Sequence, residues 1–250
     1  MIALTAAGHD PRLQIGTPVP PRSTWRGTTA VLLAEDLLLL ALDPDRGTPV
    51  NSSRQPLGVA LCGALVAELG LAGLIEEDGR RLAPVGIRPK HPLLADVHAA
   101  LGTVRGRRAA DQLRRLDGAI GGVWSRVVDG LVDADVLGRR RDRVLVVRIT
   151  HHPVLRTEAR DEVVWRMRTA ATGDGPLDPR TATVLALSGP ARLLEVVAPQ
   201  RAERRHAKAR IAAATDQTPI APIVRKVIQE AQQAAAAAAT TAAIASTAST

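Results

Sequence analysis

Two segments in the first part of the chain are apolar on every face of a predicted helix. Residues 32–42 hold seven leucines and only two charged residues, Glu35 and Asp36, and a threonine at position 28 or 29 offers an N-cap. Residues 57–75 are also apolar throughout, with Glu68 as the only charged side chain. A helix that is hydrophobic all round is buried, so the two segments predict the centre of the core. The turn-forming run DPDRG at 43–47 predicts the end of the first helix.

Later segments alternate between helical and strand patterns. A turn at 76–81, with Asp-Gly at its centre, lies between short apolar pairs and predicts a β-hairpin. Residues 137–150 predict a basic turn followed by a strand of alternating, β-branched residues. Asp178 and Pro179 predict a helix start, with the aspartate as N-cap and the proline at the first helical position. The segments with helical periodicity are 93–104, 105–136 with a break at 118–122, 157–171, 179–187, 191–197, 199–213 and 220–233.

The composition indicates the net charge of the protein and its cellular compartment. The net charge is +8 and the pI is about 11.1, so we expect affinity for an anionic partner: nucleic acid, anionic lipid or a phosphorylated ligand. Nearly all basic residues are arginine, and Phe and Tyr are absent, which is typical of a GC-rich and most often bacterial genome. Cys62 has no cysteine partner, and neither a leader nor a transmembrane helix is predicted. These features indicate a cytoplasmic protein.

The acidic pair in the first leucine-rich segment does not predict catalysis. Adjacent residues on a helix point about 100° apart, so Glu35 and Asp36 cannot face each other and share a proton. Acids near a helix N-terminus complement its dipole and can pair with arginine, and we expect arginine pairing for Glu68 as well. His151 and His152 project to opposite faces of an extended chain, which disfavours a shared metal. No phosphate-cradling glycine loop or nucleophile motif occurs, so the sequence predicts no enzyme, metal or cofactor.

Four segments occur in the order typical of a known family. They are TTAVLLAEDLLLLALDPDRG, ALVAELGLAGLI, LVDADVL with a hairpin into THHPV, and DPRTATVLALSGPARLLEVV. Together they resemble the Golgi phosphoprotein 3 family, including its bacterial relatives. The resemblance implies a mainly α fold, a single globular domain whose buried helical core is wrapped by amphipathic helices and loops, with small β-hairpins. The chain then divides into a flexible arm at 1–27, this domain at 28–230, and an Ala/Thr/Ser-rich low-complexity tail at 231–250.

The resemblance also implies a function and an assembly surface. Eukaryotic members bind phosphatidylinositol 4-phosphate on the Golgi surface, and they act as adaptors that retain glycosyltransferases, which are client membrane proteins. A hairpin contributes to self-association in the family, so a homo-oligomer is expected here. The hairpin residues that this indicates are Arg139, Arg140, Arg141, Val144 and Val146.

The headgroup pocket of the eukaryotic members uses one Trp and three Arg. The corresponding positions in this chain are Ser53, Cys62, Gly121 and Trp124, and none of them carries the residue type of the family. Two arginines lie one or two residues away from these positions. The candidate headgroup-binding residues are therefore Arg54, Trp124 and Arg126.

Three hypotheses for the function follow. The favoured one is a peripheral membrane adaptor that binds a phosphoinositide or another anionic lipid. Its basic membrane-facing cluster is Arg105, Arg107, Arg108, Arg114 and Arg115. The second is a cytoplasmic scaffold that assembles through the hairpin without lipid binding. The third is a winged-helix-like nucleic-acid-binding protein with a recognition helix at 123–135 and a wing at 139–143, and the acids Asp129, Asp133 and Asp135 weigh against it because they repel phosphate.

Overall fold

The helices and strands follow the predicted order along the chain. A computed structural model describes residues 31–50, 54–144, 147–214, 216, 226–234 and 236. The elements are α1 (Leu33–Ala41), α2 (Arg54–Leu71), β1 (Ile75–Asp78), β2 (Arg81–Pro84), α3 (Pro92–Thr103), α4 (Ala109–Ala119), α5 (Val123–Asp133), β3 (Arg140–Val144), β4 (Val147–His151), α6 (Thr157–Thr172), α7 (Pro179–Ser188), α8 (Leu194–Val197), α9 (Arg204–Ala213) and α10 (226–234). The prediction of a mainly α fold is confirmed. The predicted arm at 1–27, the predicted N-cap at position 28 or 29 and most of the predicted tail lie outside the described residues.

The helices α1 and α2 form the centre of the core, as their all-round hydrophobicity predicts. The leucines of α1 are fully buried, and α1 and α2 each pack against α5, α7 and one another. Gly63 lets α10 approach α2 closely, because a Cβ at this position would lie 2.9 Å from the Cβ of Ala231. The helix α2 ends at Leu71. The chain turns at Gly73, whose φ of +68° suits the end of a helix, and Ile75 then begins β1.

Two carboxylates of the central helices form ion pairs with later helices. Asp36 in α1 is buried and accepts a hydrogen bond from the guanidinium of Arg166 in α6 at 2.6 Å. Glu68 in α2 pairs with Arg180 in α7, and its second oxygen accepts the N–H of Leu33 at 2.7 Å. The predicted pairing of these acids with arginine is confirmed. Because a removed partner would leave the remaining charge buried, the two pairs fix how α1 and α2 meet α6 and α7.

Glu35 lies beside these ion pairs in α1. Burial raises the pKa of Glu35 from 4.5 to about 7, and the nearby carboxylates of Asp36 and Glu68 act in the same direction. The N–H of Leu32 donates to the Glu35 carboxylate at 2.8 Å, which opposes the shift without cancelling it. A pKa that is raised in the folded state means that the folded protein binds the Glu35 proton more tightly than the unfolded chain.

Replacement of this buried acid by its neutral analogue is expected to stabilise the protein at alkaline pH. The cost of burying the Glu35 charge is absent below pH 4.5, grows as the pH rises, and is complete above about pH 7. Glu35→Gln keeps the acceptor for Leu32 and removes the charge, so we expect a gain of about 1–2 kcal/mol at pH 8 and almost none at pH 4.5. Urea unfolding at both pH values measures the difference. The exposed Glu158→Gln, also in the first turn of a helix, is the control, and a gain of equal size in that variant would contradict the prediction.

Both predicted hairpins are present, but their turns differ from the prediction. In the first hairpin Asp78 pairs with Arg81, so the two-residue loop is Gly79-Arg80 and not Asp-Gly. In the second hairpin Val144 of β3 pairs with Val147 of β4, and the residues between them lie outside the described residues. The prediction of a basic turn in 137–150 was wrong, because the arginine-rich run forms β3. A charged run is compatible with a strand in this ribbon, since its two strands make their main contacts with each other and not with a helical layer.

The start of α7 confirms the Asp178-Pro179 signal. The Asp178 carboxylate accepts the N–H groups of Arg180 at 3.0 Å and Thr181 at 3.1 Å, and Pro179 occupies the first turn. Burial by itself would raise the pKa of Asp178, but the hydrogen bonds from Thr181 and Arg180 lower it below its usual value. The N-cap therefore places Arg180 at the start of α7, facing Glu68 of α2.

Candidate functional site

Two of the predicted headgroup residues lie on α5 and contact different neighbours. Trp124 is partly buried and packs against the core, whereas the guanidinium of Arg126 pairs with Asp96 of α3 at 2.6 Å and donates to the carbonyl of Ile120 at 3.0 Å. Arg126 thus ties α3 to α5 and is already engaged. The third candidate, Arg54, begins α2, and its side chain lies outside the described residues. A headgroup pocket formed by these three residues stays a prediction.

Trp124 lies at the edge of a polar cleft of about 380 Å³ between α5 and the second hairpin, here called the α5–hairpin cleft. Arg139, which was predicted to belong to the assembly hairpin, lines the cleft and pairs with Asp129 of α5. Burial lowers the pKa of His152, so this imidazole is neutral at physiological pH. With one compensated cation, the cleft offers hydrogen-bonding groups but little attraction for an anion. The residues that line it are Trp124, Ser125, Val128, Asp129, Arg139, Thr150 and His152.

The predicted membrane-facing arginines form an exposed surface around the start and one side of α4. The opposite side of this helix packs into the core through Leu113 and Leu116, which are fully buried. The amphipathic pattern of α4 therefore forces its arginines into solvent. We call the exposed side the α4 basic surface, which consists of Arg105, Arg107, Arg108, Arg114 and Arg115.

The arginines of the α4 basic surface differ in whether they have a partner. Arg114 pairs with Asp111 one turn earlier. In the part of the chain that the structure describes, the other four guanidinium groups, those of Arg105, Arg107, Arg108 and Arg115, have neither an ion pair nor a hydrogen bond. Their charge is uncompensated, so this surface attracts anions more strongly than the α5–hairpin cleft does.

The remaining hairpin candidates have no described surroundings. Arg140 begins β3 and is exposed, while the side chains of Arg141 and Val144 and the whole of Val146 lie outside the described residues. The role of this hairpin in self-association stays a prediction. Within the described ranges, no group of three or more His, Cys, Asp or Glu side chains is placed to hold a metal ion.

A comparison with protein-family models decides the family. The model described as Golgi phosphoprotein 3 (GPP34) matches residues 33–231, most of the chain. The chain belongs to the Golgi phosphoprotein 3 family. The resemblance seen in the four sequence segments is thereby confirmed. A search of curated proteins gives no match. Among the helices that the structure describes, none has the length and apolar character needed to cross a membrane.

Within this family assignment, the four headgroup positions differ in their surroundings, and Ser53 lies outside the described residues. Cys62 is fully buried in α2, and burial raises the pKa of its thiol. Gly121 lies in the turn before α5, with a φ of +76°, and Trp124 is partly buried. A residue in the middle of the core cannot contact a headgroup, so Cys62 does not form part of a headgroup pocket.

Sequence reasoning missed a second group of cations, which lies beside the α4 basic surface. Arg80, Arg108 and Lys226 line a common recess, although they come from the first hairpin, the residue before α4, and α10. The basic Arg80-Arg81 pair in the turn of the first hairpin is the only signal in the sequence. Nothing in local periodicity indicates that α10 packs beside this turn.

Proposed function

We propose that the protein is a non-catalytic peripheral membrane adaptor whose α4 basic surface binds anionic lipid headgroups, including phosphatidylinositol 4-phosphate. The observation that carries the proposal is the set of four exposed guanidinium groups with no partner in the described part of the chain. A guanidinium that is already paired must lose a partner before it can bind a phosphate, and these four need not. Each arginine near an anionic membrane surface contributes about 1 kcal/mol.

The chemistry of the acidic residues supports a role without catalysis. Asp36 and Glu68 are held in ion pairs with arginine, and Glu35 accepts the N–H of Leu32. Carboxylates held in this way serve as structural contacts in the core and are not presented to a substrate. Family membership supports the adaptor role, in which a client membrane protein binds the membrane-associated domain.

Neutralisation of two unpaired arginines is expected to weaken membrane binding. For the double variant Arg107→Gln with Arg115→Gln we expect about 30-fold weaker binding to phosphatidylcholine vesicles that contain phosphatidylserine, because two contributions of about 1 kcal/mol are lost. Binding of the unmodified protein should also fall as salt is raised from 0.05 to 0.3 M, because this change shortens the electrostatic screening length by about two- to threefold. Vesicle co-sedimentation measures both effects.

The matched control is Arg201→Gln with Arg205→Gln. Both arginines are exposed and have no partner among the described residues, and they lie next to or in α9, which packs against α6, α7 and α8. We expect this control to lose less than about threefold, since it removes the same charge from another surface. Equal losses in the two double variants, or vesicle binding that is indifferent to salt, would refute the α4 basic surface as the membrane-binding face.

The second hairpin supports self-association as an additional property. Its strands pair over five residues, from Arg140 with His151 to Val144 with Val147, and make their main contacts with each other. A two-stranded ribbon of this kind presents backbone N–H and C=O groups at its edges, which favour pairing with another chain. We propose that this hairpin joins copies of the protein, as in other members of the family.

A further inference from the structure

Three separate parts of the chain meet at the recess beside the N-terminus of α4. The N–H of Ala109 donates to the carbonyl of Arg80 in the first hairpin at 2.8 Å. The next N–H, that of Ala110, donates to the Glu230 carboxylate of α10 at 3.0 Å. The first two N–H groups of α4 are thus satisfied by the hairpin on one side and by α10 on the other. The recess between them has a volume of about 300 Å³.

The walls of this recess are held by one buried amide and one exposed ion pair. The amide of Gln112 in α4, which is fully buried, accepts the N–H of Leu82 at 2.8 Å and donates to the Leu82 carbonyl at 3.0 Å. Lys226 at the start of α10 pairs with Glu77 of β1. The hairpin is therefore fixed to α4 by Gln112 and to α10 by Lys226. Because these walls are already ordered, little conformational entropy is lost when the recess binds a ligand.

Some of the charged groups at or beside the recess already have a partner, and others have none. Glu230 is held by the Ala110 N–H, and Glu77 is held by Lys226. Arg80 and Arg108 are exposed, and neither guanidinium has a hydrogen bond or an ion pair within the described ranges. Because Lys226 is already paired, two guanidinium groups are left to bind an anion. The residues that line the recess are Arg80, Arg108, Lys226, Glu230 and Gln233.

We propose that this recess binds a phosphate monoester, with Arg80 and Arg108 donating to its terminal oxygens. A guanidinium presents a planar fork of N–H donors that matches two oxygens of a phosphate. A monoester carries nearly two negative charges and three terminal oxygens, enough for two such forks. A phosphodiester has one charge and two free oxygens, so it satisfies only one fork well.

The recess is distinct from the positions at which the eukaryotic family members bind a headgroup. Those positions lie around the start of α2 and at the start of α5, whereas the recess lies at the N-terminus of α4, which has roughly 16 Å of helix between it and the turn into α5. The proposal rests on the proposed function in one respect, because Arg108 belongs to both the recess and the α4 basic surface. The monoester can be the headgroup of a lipid or a free phosphorylated metabolite.

Calorimetric titration without any membrane tests the recess by itself. The probes are glycerol 3-phosphate, a monoester, and glycerophosphocholine, a diester. We expect saturable 1:1 binding of the monoester that is at least tenfold tighter than that of the diester. The double variant Arg80→Gln with Arg108→Gln should lose about tenfold or more in monoester affinity, and Arg201→Gln with Arg205→Gln should lose less than twofold. Both pairs are exposed, and thermal melting verifies that all variants are folded.

Vesicles then identify the source of the monoester. If Arg80→Gln abolishes a preference for phosphatidylinositol 4-phosphate over phosphatidylserine of matched charge, the ligand is a lipid headgroup. If glycerol 3-phosphate binds but vesicles show no such preference, the ligand is a soluble metabolite, and the recess stands even if the proposed membrane function fails. The absence of saturable monoester binding, equal affinity for the diester, or equal losses in the two double variants would overturn the recess, whatever the vesicles show.

Discussion

Gly47→Ala is expected to destabilise the protein by about 2–4 kcal/mol. Gly47 has a φ of +60°, which costs an alanine roughly 1 kcal/mol. A Cβ at this position would also lie 2.3 Å from the carbonyl carbon of His152, and backbone at this place cannot rotate away as a side chain can. The clash therefore has to move the loop that follows α1 or the end of the second hairpin, and overpacking of this kind costs a further 1–3 kcal/mol or more, as an order of magnitude.

Gly79→Ala is the matched control for this prediction. Gly79 has nearly the same φ, +62°, but a Cβ there would have no neighbour within 4 Å. We expect a loss of only about 1 kcal/mol for this variant, because it has the backbone cost without the clash. Urea unfolding of both variants gives the comparison. A loss at Gly47 no larger than that at Gly79 would show that the contact between Gly47 and His152 does not constrain the loop.

Arg180→Met is expected to cost about 2 kcal/mol of folding stability, because it leaves the largely buried carboxylate of Glu68 without its counter-ion. The loss extends beyond the ion pair. The same guanidinium donates to the carbonyl of Val31 at 2.6 Å, and Glu68 accepts the N–H of Leu33 at 2.7 Å. A single arginine thus joins the start of α1, the C-terminal part of α2 and the start of α7, and its loss loosens all three.

Removal of the orphaned charge should rescue much of this loss. In the double variant Arg180→Met with Glu68→Gln, the glutamine still accepts the N–H of Leu33 but carries no charge. We expect the double variant to be about 1–2 kcal/mol more stable than Arg180→Met alone, since the cost of an unpaired buried charge is gone. Additive effects of the two substitutions, measured by urea unfolding of the full double-mutant cycle, would mean that the two side chains do not interact.

The sequence predicted elements well where the signal is local. Asp178 followed by Pro179 marks the start of α7 because the N-cap hydrogen bonds run to residues two and three positions later. The burial of α1 could also be predicted from a local signal, because nearly every residue in this helix is apolar by itself. The end of α2 could not be located from the apolar pattern, because residues 72–75 are as apolar as the helix itself, and only Gly73 marks the turn.

The strand β3 was predicted as a turn because its pairing is not visible in its own residues. Arginine at three consecutive positions is typical of a solvated loop, and the hydrogen bonds that make this segment a strand come from β4. Strand formation depends on context more than helix formation does, so a local reading of a charged segment fails more easily.

The candidate site also has a part with a local sequence signal and a part without one. The α4 basic surface could be predicted because its arginines are close together in sequence. The recess beside it could not, because Arg80, Arg108 and Lys226 become neighbours only when the hairpin, α4 and α10 pack together. Arg126 shows the converse case, in which a suitable residue near a family position is engaged by Asp96.

The hydrogen bond from Ala110 to Glu230 spans 120 residues of sequence, and this separation sets the order in which the protein matures. During translation, the hairpin and α4 leave the ribosome well before α10 is synthesised. Contacts between such distant segments form late, because the intervening chain must be ordered first. A nascent chain therefore carries the α4 arginines without the completed recess, and selective binding of a phosphate monoester would begin only after α10 has been synthesised and has packed beside α4.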